Sequence, residues 1–374
     1  MRLIIDQPAY VWRLQASAPT TDVWFGHAPV GDAPFRDPPF RLAGVEVLDW
    51  QHAPRGGDLP LVVIAAFQCR LPDELGERLT RPGFAQQPLW INLDYLSAEA
   101  WIDDAHGRPS HKSAGGTEWF YMPGFTIASG GLIRERYVAP SLPAPDPAAA
   151  AAAAKGSIVS AVSDLPTVPA LRREALKISL FCYSGQHLSE LIEHWNAPPT
   201  SGATTRPIDL LVTAGCDIAD IRQHLHIDHG QASFDRGIVR LSFLPWLSQD
   251  AYDVLLAACD LNFVRGEDSW IRAIWAGKPF VWRPYPQDDG ADRGKLDAFL
   301  QLCAPDFDNE CQAAIGQLMH AWRENTDVDQ AWPRWFARYP SIATGFRRFS
   351  QRISAQQDLA RRLVEFIERR LVYS

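Results

Sequence analysis

Short apolar runs alternate with helix-like stretches twice along this 374-residue chain, and that alternation narrows its possible folds more than any other feature. Strand candidates lie at Val45–Leu48, Leu61–Phe67 and Leu89–Leu93, with a helix pattern over Pro72–Thr80. A further strand candidate, Arg2–Asp6 (RLIID), opens the chain. The second set has strand candidates at Lys177–Cys182, Ile208–Ala214, Ile238–Ser242, Leu261–Val264 and Phe280–Trp282, and helix patterns at His187–His194, Gln249–Ala258 and Ser269–Ala276. Apolar strands separated by helices pair in parallel and are covered on both faces. Between the sets, Ala139–Ala154 reads APSLPAPDPAAAAAAA. An alanine run can be helical, but the prolines ahead of it favour a tether. The expected organisation is an α/β domain over residues 1–140, a Pro/Ala-rich linker over 141–175, a second α/β domain over 176–345, and a C-terminal amphipathic helix over 346–374 that packs across a surface without chemistry of its own.

The charge balance removes several function classes. The net charge is −8, with acidic and basic residues mixed and no basic stripe, so nucleic acid is not an expected partner. Six cysteines are scattered without a CxxC pair or a histidine at zinc spacing. They read as buried free thiols of a cytoplasmic protein, with no metal site implied. No uncharged apolar stretch reaches the ~18 residues a membrane span needs. Nothing in the sequence sets an oligomeric state.

The most informative segment is Ala258–Gln287, ACDLNFVRGEDSWIRAIWAGKPFVWRPYPQ. An apolar strand ends at Val264, Arg265-Gly266-Glu267-Asp268-Ser269 turns the chain, and a helix follows with Ser269 as its expected N-cap. The free amides and dipole of a helix start suit a phosphate or diphosphate, and ligands of open α/β sheets bind at this end of the strands. Gly266 would let the backbone approach a ligand closely. Glu267 and Asp268 would repel a diphosphate unless they face sugar hydroxyls or a cationic acceptor. Alternatively, the acids simply favour the positive end of the helix. Phe181 and Tyr183 follow a strand in SLFCYS, Trp246 and Tyr252 flank Gln249 in LPWLSQDAYD, and Tyr285 ends the next strand. Aromatic faces with an amide are groups that hold a nucleobase, provided the loops converge; otherwise each ring is core packing.

These residues meet a known family. RGEDSW with WAGKPFVW and YPQ, the SLFCYS strand end, PLWINLDYLSAE at Pro88–Glu99 and PGFTIASGGLIRER at Pro123–Arg136 together resemble the bacterial protein-arginine rhamnosyltransferases of elongation factor P. The resemblance implies a glycosyltransferase-B fold of two Rossmann-like domains, in which the second binds dTDP-β-L-rhamnose and the first receives elongation factor P. It implies inverting transfer of rhamnose to an arginine, with no metal and no cofactor beyond the sugar nucleotide. Matched by motif, Phe181, Tyr183, Trp246, Gln249 and Tyr252 face the nucleoside, with Trp246 standing where the family usually has Phe. Arg265, Gly266, Glu267, Asp268 and Ser269 form the donor loop, and Tyr285 lies close to the diphosphate. Glu267 and Asp268 are the candidate catalytic carboxylates, Glu267 nearest the acceptor. The chemistry demands such groups, because a guanidinium is protonated at physiological pH and a poor nucleophile, and the departing diphosphate needs fixed donors.

One departure stands out at the start. In the family a first strand and a loop reading like DNxGDIGVxWRLARQL precede the strand that here is RLIID, and that loop holds the expected general base. None of Asp6, Asp22 or Asp32 sits in a matching motif. The resemblance therefore implies an N-terminal domain without its first strand and helix. Either more coding sequence precedes Met1, or the chain is a catalytically impaired protein that binds a dTDP-sugar or elongation factor P.

Overall fold

The computed structural model describes residues 2–5, 40–42, 45–49, 60–80, 87–113, 115–135, 171–185, 188–197, 206–228 and 230–372. The Pro/Ala-rich stretch and Asp6, Asp22 and Asp32 lie outside the described residues. The chain forms two compact units: unit 1 is residues 1–134 with 356–374, and unit 2 is residues 135–355.

Unit 1 holds two sheets. In the smaller one, β1 (Arg2–Ile5) and β2 (Phe40–Leu42) flank β3 (Val45–Asp49), parallel and antiparallel respectively. The larger contains β4 (Val62–Ala66), β5 (Leu89–Leu93), β6 (Pro109–His111) and β7 (Thr117–Tyr121), in the order β4-β5-β7-β6, with β6 alone antiparallel. Helix α1 (Asp73–Thr80) joins β4 to β5, and α2 (Trp101–Ala105) follows β5. Strands β6 and β7 escape an apolar-run reading because PSH is polar and TEWFY is interrupted by Glu118. Residues 123–134 fold tightly over this sheet. The Tyr121 hydroxyl donates to the Gly130 carbonyl at 2.9 Å, and a Cβ on Gly130 would sit 2.4 Å from the Tyr121 ring. A glycine is therefore a requirement of close approach at this position.

Unit 2 is built on six strands in the order β10-β11-β9-β8-β12-β13. These are β8 (Leu176–Leu180), β9 (Ile208–Val212), β10 (Ser233–Arg236), β11 (Val239–Phe243), β12 (Leu261–Arg265) and β13 (Phe280–Arg283). All neighbours are parallel except the β10–β11 hairpin, which closes one edge. Every residue of β8 and β9 is buried, as expected of strands covered on both faces. The cover comes from α3 (Leu188–Asn196), α4 (Ala219–His224), α5 (Gln249–Ala258), α6 (Asp268–Ala276), α7 (Ala291–Cys303), α8 (Asn309–Glu324), α9 (Val328–Ala337) and α10 (Tyr339–Ser354). Trp270 of α6 stacks on Trp282 of β13 with centroids 3.7 Å apart and is 1% exposed. Burial of such a ring contributes about 2–3 kcal/mol.

The single helix expected over the C-terminal stretch is in fact two. Helix α10 ends at Ser354, and α11 (Leu359–Val372) starts afresh, its first turn capped by the Asp358 carboxylate, which accepts from the Arg361 N–H at 3.1 Å. Leu359, Leu363, Phe366, Ile367 and Leu371 of α11 pack on Leu89, Ile91 and Tyr121 within unit 1. No helix of the described residues is long and apolar enough to cross a membrane. None of the six cysteines is in a disulfide; Cys69 is exposed and Cys216 half-buried, so the expectation of buried thiols fails for these two.

Candidate active site

The carboxyl ends of β8, β9, β12 and β13 bring most of the sequence-selected residues of unit 2 together. Arg265, the last residue of β12, is the centre of the group. Its guanidinium carbon lies 4.1 Å from the Phe181 ring centroid and 4.5 Å from that of Tyr183. One terminal nitrogen donates to the Cys182 carbonyl and the other to that of Gly215, both at 3.1 Å. A cation held between two rings and two carbonyls has little rotational freedom, so it presents a fixed charge to the sheet edge.

Aromatic side chains extend the group on both sides. Tyr285 meets Tyr183 edge-on at 5.6 Å, and Tyr252 of α5 approaches Phe181 at 6.1 Å. Trp246 reaches the same edge, since a Cβ on Gly215 would lie 3.0 Å from its ring and 3.7 Å from that of Phe181. Tyr285 and Trp246 remain largely exposed, at 69% and 53%. Gln249 opens α5, three residues before Tyr252 and so on the same helix face. It is exposed, and no side-chain hydrogen bond among the described residues joins it to the rings.

The RGEDS turn differs from its expected geometry at one residue. Helix α6 begins at Asp268 with Glu267 in the cap position, so Ser269 is not the N-cap. Ser269 is buried, and its hydroxyl accepts from the Arg265 N–H at 3.0 Å and donates to the Arg265 carbonyl at 2.5 Å, tying the turn to the strand. Gly266 has φ +62°, the left-handed region, and a Cβ there would come within 3.0 Å of the Tyr183 hydroxyl. Its carbonyl accepts from the Trp282 indole at 2.7 Å. The Glu267 side chain makes no cap bond to the start of α6, and a helix start is an end suited to an anion.

The two carboxylates of the turn have different settings. Glu267 is close enough to Tyr183 to affect its hydroxyl, which burial, first of all, holds above the ordinary phenol range. Asp268 is bound to Arg272 one turn along α6, at 3.1 Å. Arg272, itself 5% exposed, also binds Asp253 of α5 at 2.8 Å and Glu135 at 3.0 Å. This four-membered cluster ties the helix carrying Gln249 and Tyr252 to the helix carrying the acidic turn, and sequence reading misses it. The i,i+4 spacing of Asp268 and Arg272 was an available signal. Burial raises the Asp253 carboxyl above its ordinary value, with Arg272 opposing. Cys216 is a second omission: a hydrogen bond from Cys182, ahead of the Arg265 charge, holds its thiol below the ordinary range. Burial likewise pushes the Tyr252 hydroxyl up, with Ser269 alongside pulling it down.

Two α/β units with mostly parallel sheets, the second carrying rings and a fixed guanidinium at its strand edge, are the architecture of a glycosyltransferase-B-type protein of the two-Rossmann class. Residues 33–368 match the family model described as elongation factor P (EF-P) rhamnosyltransferase EarP, and the chain belongs to that family. It is 37% identical over 333 residues to a protein-arginine rhamnosyltransferase of Pseudomonas putida, covering 86% of this chain and 82% of the relative. A counterpart from Pseudomonas aeruginosa is 33% identical over 330 residues, covering 87% and 83%. A solved structure that gives the structural basis for EarP-mediated arginine glycosylation of translation elongation factor EF-P matches with a TM-score of 0.55 and 32% identity. The match covers 67% of this chain and 76% of that one.

Proposed function

We propose that this chain transfers L-rhamnose from dTDP-β-L-rhamnose to an arginine side chain of elongation factor P, with inversion and without a metal. The observation that carries the reading is the clasped Arg265 at the centre of the ring group, next to the start of α6. Stacking on Trp246 and Phe181, with Gln249 at the base edge, suits thymine. Arg265 and the first-turn amides of α6 suit the diphosphate, whose charge grows as the sugar leaves. Glu267, beside Tyr183, is positioned for the sugar and the incoming guanidinium, and Asp268 acts through Arg272 to hold the turn. Elongation factor P as acceptor rests on the family and on what its solved relative modifies.

Mass spectrometry of elongation factor P after incubation with the chain and dTDP-rhamnose tests the reading. The expected result is a gain of one rhamnosyl group on a single arginine. Donor binding with no gain, or a gain on another residue type, contradicts it.

A further inference from the structure

Two of the six cysteines meet at the carboxyl end of the unit 2 sheet, and the fold of that edge brings them there. Strands β8 and β9 run side by side with Leu180 opposite Val212, and the Thr213 N–H continues the pairing onto the Leu180 carbonyl at 3.0 Å. The chain then turns at once. The Cys216 N–H donates to the Thr213 carbonyl at 3.4 Å, and Gly215 has the positive φ, +86°, that such a turn takes at its third position. The turn carries the Cys216 sulfur back over the end of β8. There it accepts from the Cys182 N–H at 3.3 Å and, as a thiol, donates to the Leu180 carbonyl at 3.2 Å. The Cys182 thiol is hydrogen-bonded to Cys216 as well.

The two thiols have complementary settings. Cys216 is half-buried and Cys182 buried. The bond from Cys182 holds the Cys216 thiol below its ordinary range, while that same bond, with burial, pushes the Cys182 thiol up. Cys259 and Cys303 show the usual behaviour, since burial, first of all, pushes each of them up. A partly exposed sulfur with a stabilised thiolate, next to a second and protonated thiol, is the arrangement in which an oxidant takes the first and the second resolves the product. Arg265 connects the pair to the rest of the edge. It is held by the carbonyl of Cys182 on one segment and by that of Gly215, the neighbour of Cys216, on the other, both at 3.1 Å.

We propose that Cys216 and Cys182 form an oxidation site, at which a peroxide converts the two thiols to a disulfide and loosens the clasp on Arg265. Cys216 loses its proton and its sulfur attacks one oxygen of hydrogen peroxide. The S–O bond forms, the O–O bond breaks, and the departing hydroxide takes up the proton as water. The Cys182 thiol then gives up its proton and attacks the resulting sulfenic acid. The S–S bond forms, the S–O bond breaks, and a second water leaves, so that two thiols lose two electrons and two protons while one peroxide becomes two waters. An S–S bond is about 2 Å long, so the Cys216 sulfur has to leave the Leu180 carbonyl, and the segments that supply the two carbonyls to Arg265 move with it. The thiol pair is independent of what the edge binds, whereas an effect on nucleotide affinity rests on the reading of that edge as the dTDP-sugar site.

The test uses the full chain with C69S, which removes the other cysteine that is not buried. Reduced and peroxide-treated protein are alkylated under denaturing conditions and mapped by mass spectrometry, and dTDP affinity is measured by calorimetry before and after dithiothreitol. The expected result is a linked Cys182–Cys216 peptide, with dTDP bound at least about tenfold more weakly and both changes reversed by dithiothreitol. With C182S added, dimedone should trap Cys216 as its sulfenic acid. With C216S added, peroxide should leave Cys182 unmodified and dTDP affinity where it was before treatment. Absence of the linked peptide, whether the thiols stay free or Cys216 goes on to the sulfinic acid, overturns the site. A linked peptide with dTDP affinity unchanged overturns the loosening of Arg265. If the reduced chain does not bind dTDP, the donor reading falls, and the linked peptide alone decides the oxidation site.

Discussion

The carboxyl edges of the two larger sheets treat their charges differently. In unit 2 the two arginines at the edge are held in place by fixed partners: Arg265 by the backbone carbonyls of Cys182 and Gly215, and Arg272 by the Asp253, Asp268 and Glu135 carboxylates. In unit 1 the edge carries Asp94 with neutral donors and two half-exposed rings. The first arrangement is preorganised, since its donors need not move to receive an anion. Substitutions on the two sides should therefore fail in different ways.

The largest effect is expected at Arg272. In R272M, Asp253 and its neighbours lose their shared counter-ion in a half-buried setting, and urea unfolding should show a loss of about 3 kcal/mol near neutral pH. The deficit should depend on pH. The folded Asp253 carboxyl already titrates above its ordinary 3.8 because of burial, and without Arg272 it moves higher. A carboxyl raised in the folded state favours folding below its unfolded value, and that contribution is lost as pH rises through the folded value. The R272M deficit should thus shrink in acid and grow towards neutrality, and a deficit independent of pH would show that Asp253 is not the group left uncompensated. Next in size is E267Q, for which rhamnosylation kinetics should show kcat down by about a hundredfold with the donor constant little changed. An equal rise in the donor KM would instead make Glu267 a donor-binding group.

The contrast between these two residues shows what the sequence disclosed. Leu89–Leu93 and Gln249–Ala258 form a strand and a helix with the expected bounds, because an unbroken apolar run and a serine-capped amphipathic run each have one reading. Glu267 was legible because it is consecutive with Arg265, Gly266 and Ser269 in one turn. Arg272 was not, because its partners Asp253 and Glu135 lie 19 and 137 residues away and only the fold joins them. The helices between Ala291 and Ser354 are obscured by Pro333 inside α9 and Pro340 in the first turn of α10, both residues that a breaker rule would read as ends. Asp94 sits in plain view within INLDYLSAE, yet that it meets no lysine or arginine among the described residues is a property of three-dimensional surroundings.

Two smaller effects sharpen the comparison. G266A should cost about 1–2 kcal/mol in urea unfolding, since a side chain at φ +62° is strained and its Cβ crowds the Tyr183 hydroxyl. It should weaken donor binding as well, while the same exchange at exposed Gly230, where a Cβ meets nothing within 4 Å, should leave binding unchanged. The smallest effect belongs to the surface pair Arg240–Asp235, at 2.8 Å, for which R240A should cost about 0.5 kcal/mol. Arg240 holds the Asp235 carboxyl below its ordinary range, so that contribution is present above the unfolded value and lost as pH falls through the folded one. The gap between R240A and wild type should therefore close in acid, opposite to R272M.

Calorimetric titration of dTDP into wild type and R265A bears most directly on the assignment of the unit 2 sheet edge as the sugar-nucleotide pocket. Wild type should bind dTDP in preference to UDP, and R265A should bind it at least about tenfold more weakly while unfolding in urea nearly as wild type does. Equal affinity of the two proteins for dTDP would place the nucleotide elsewhere and contradict the account.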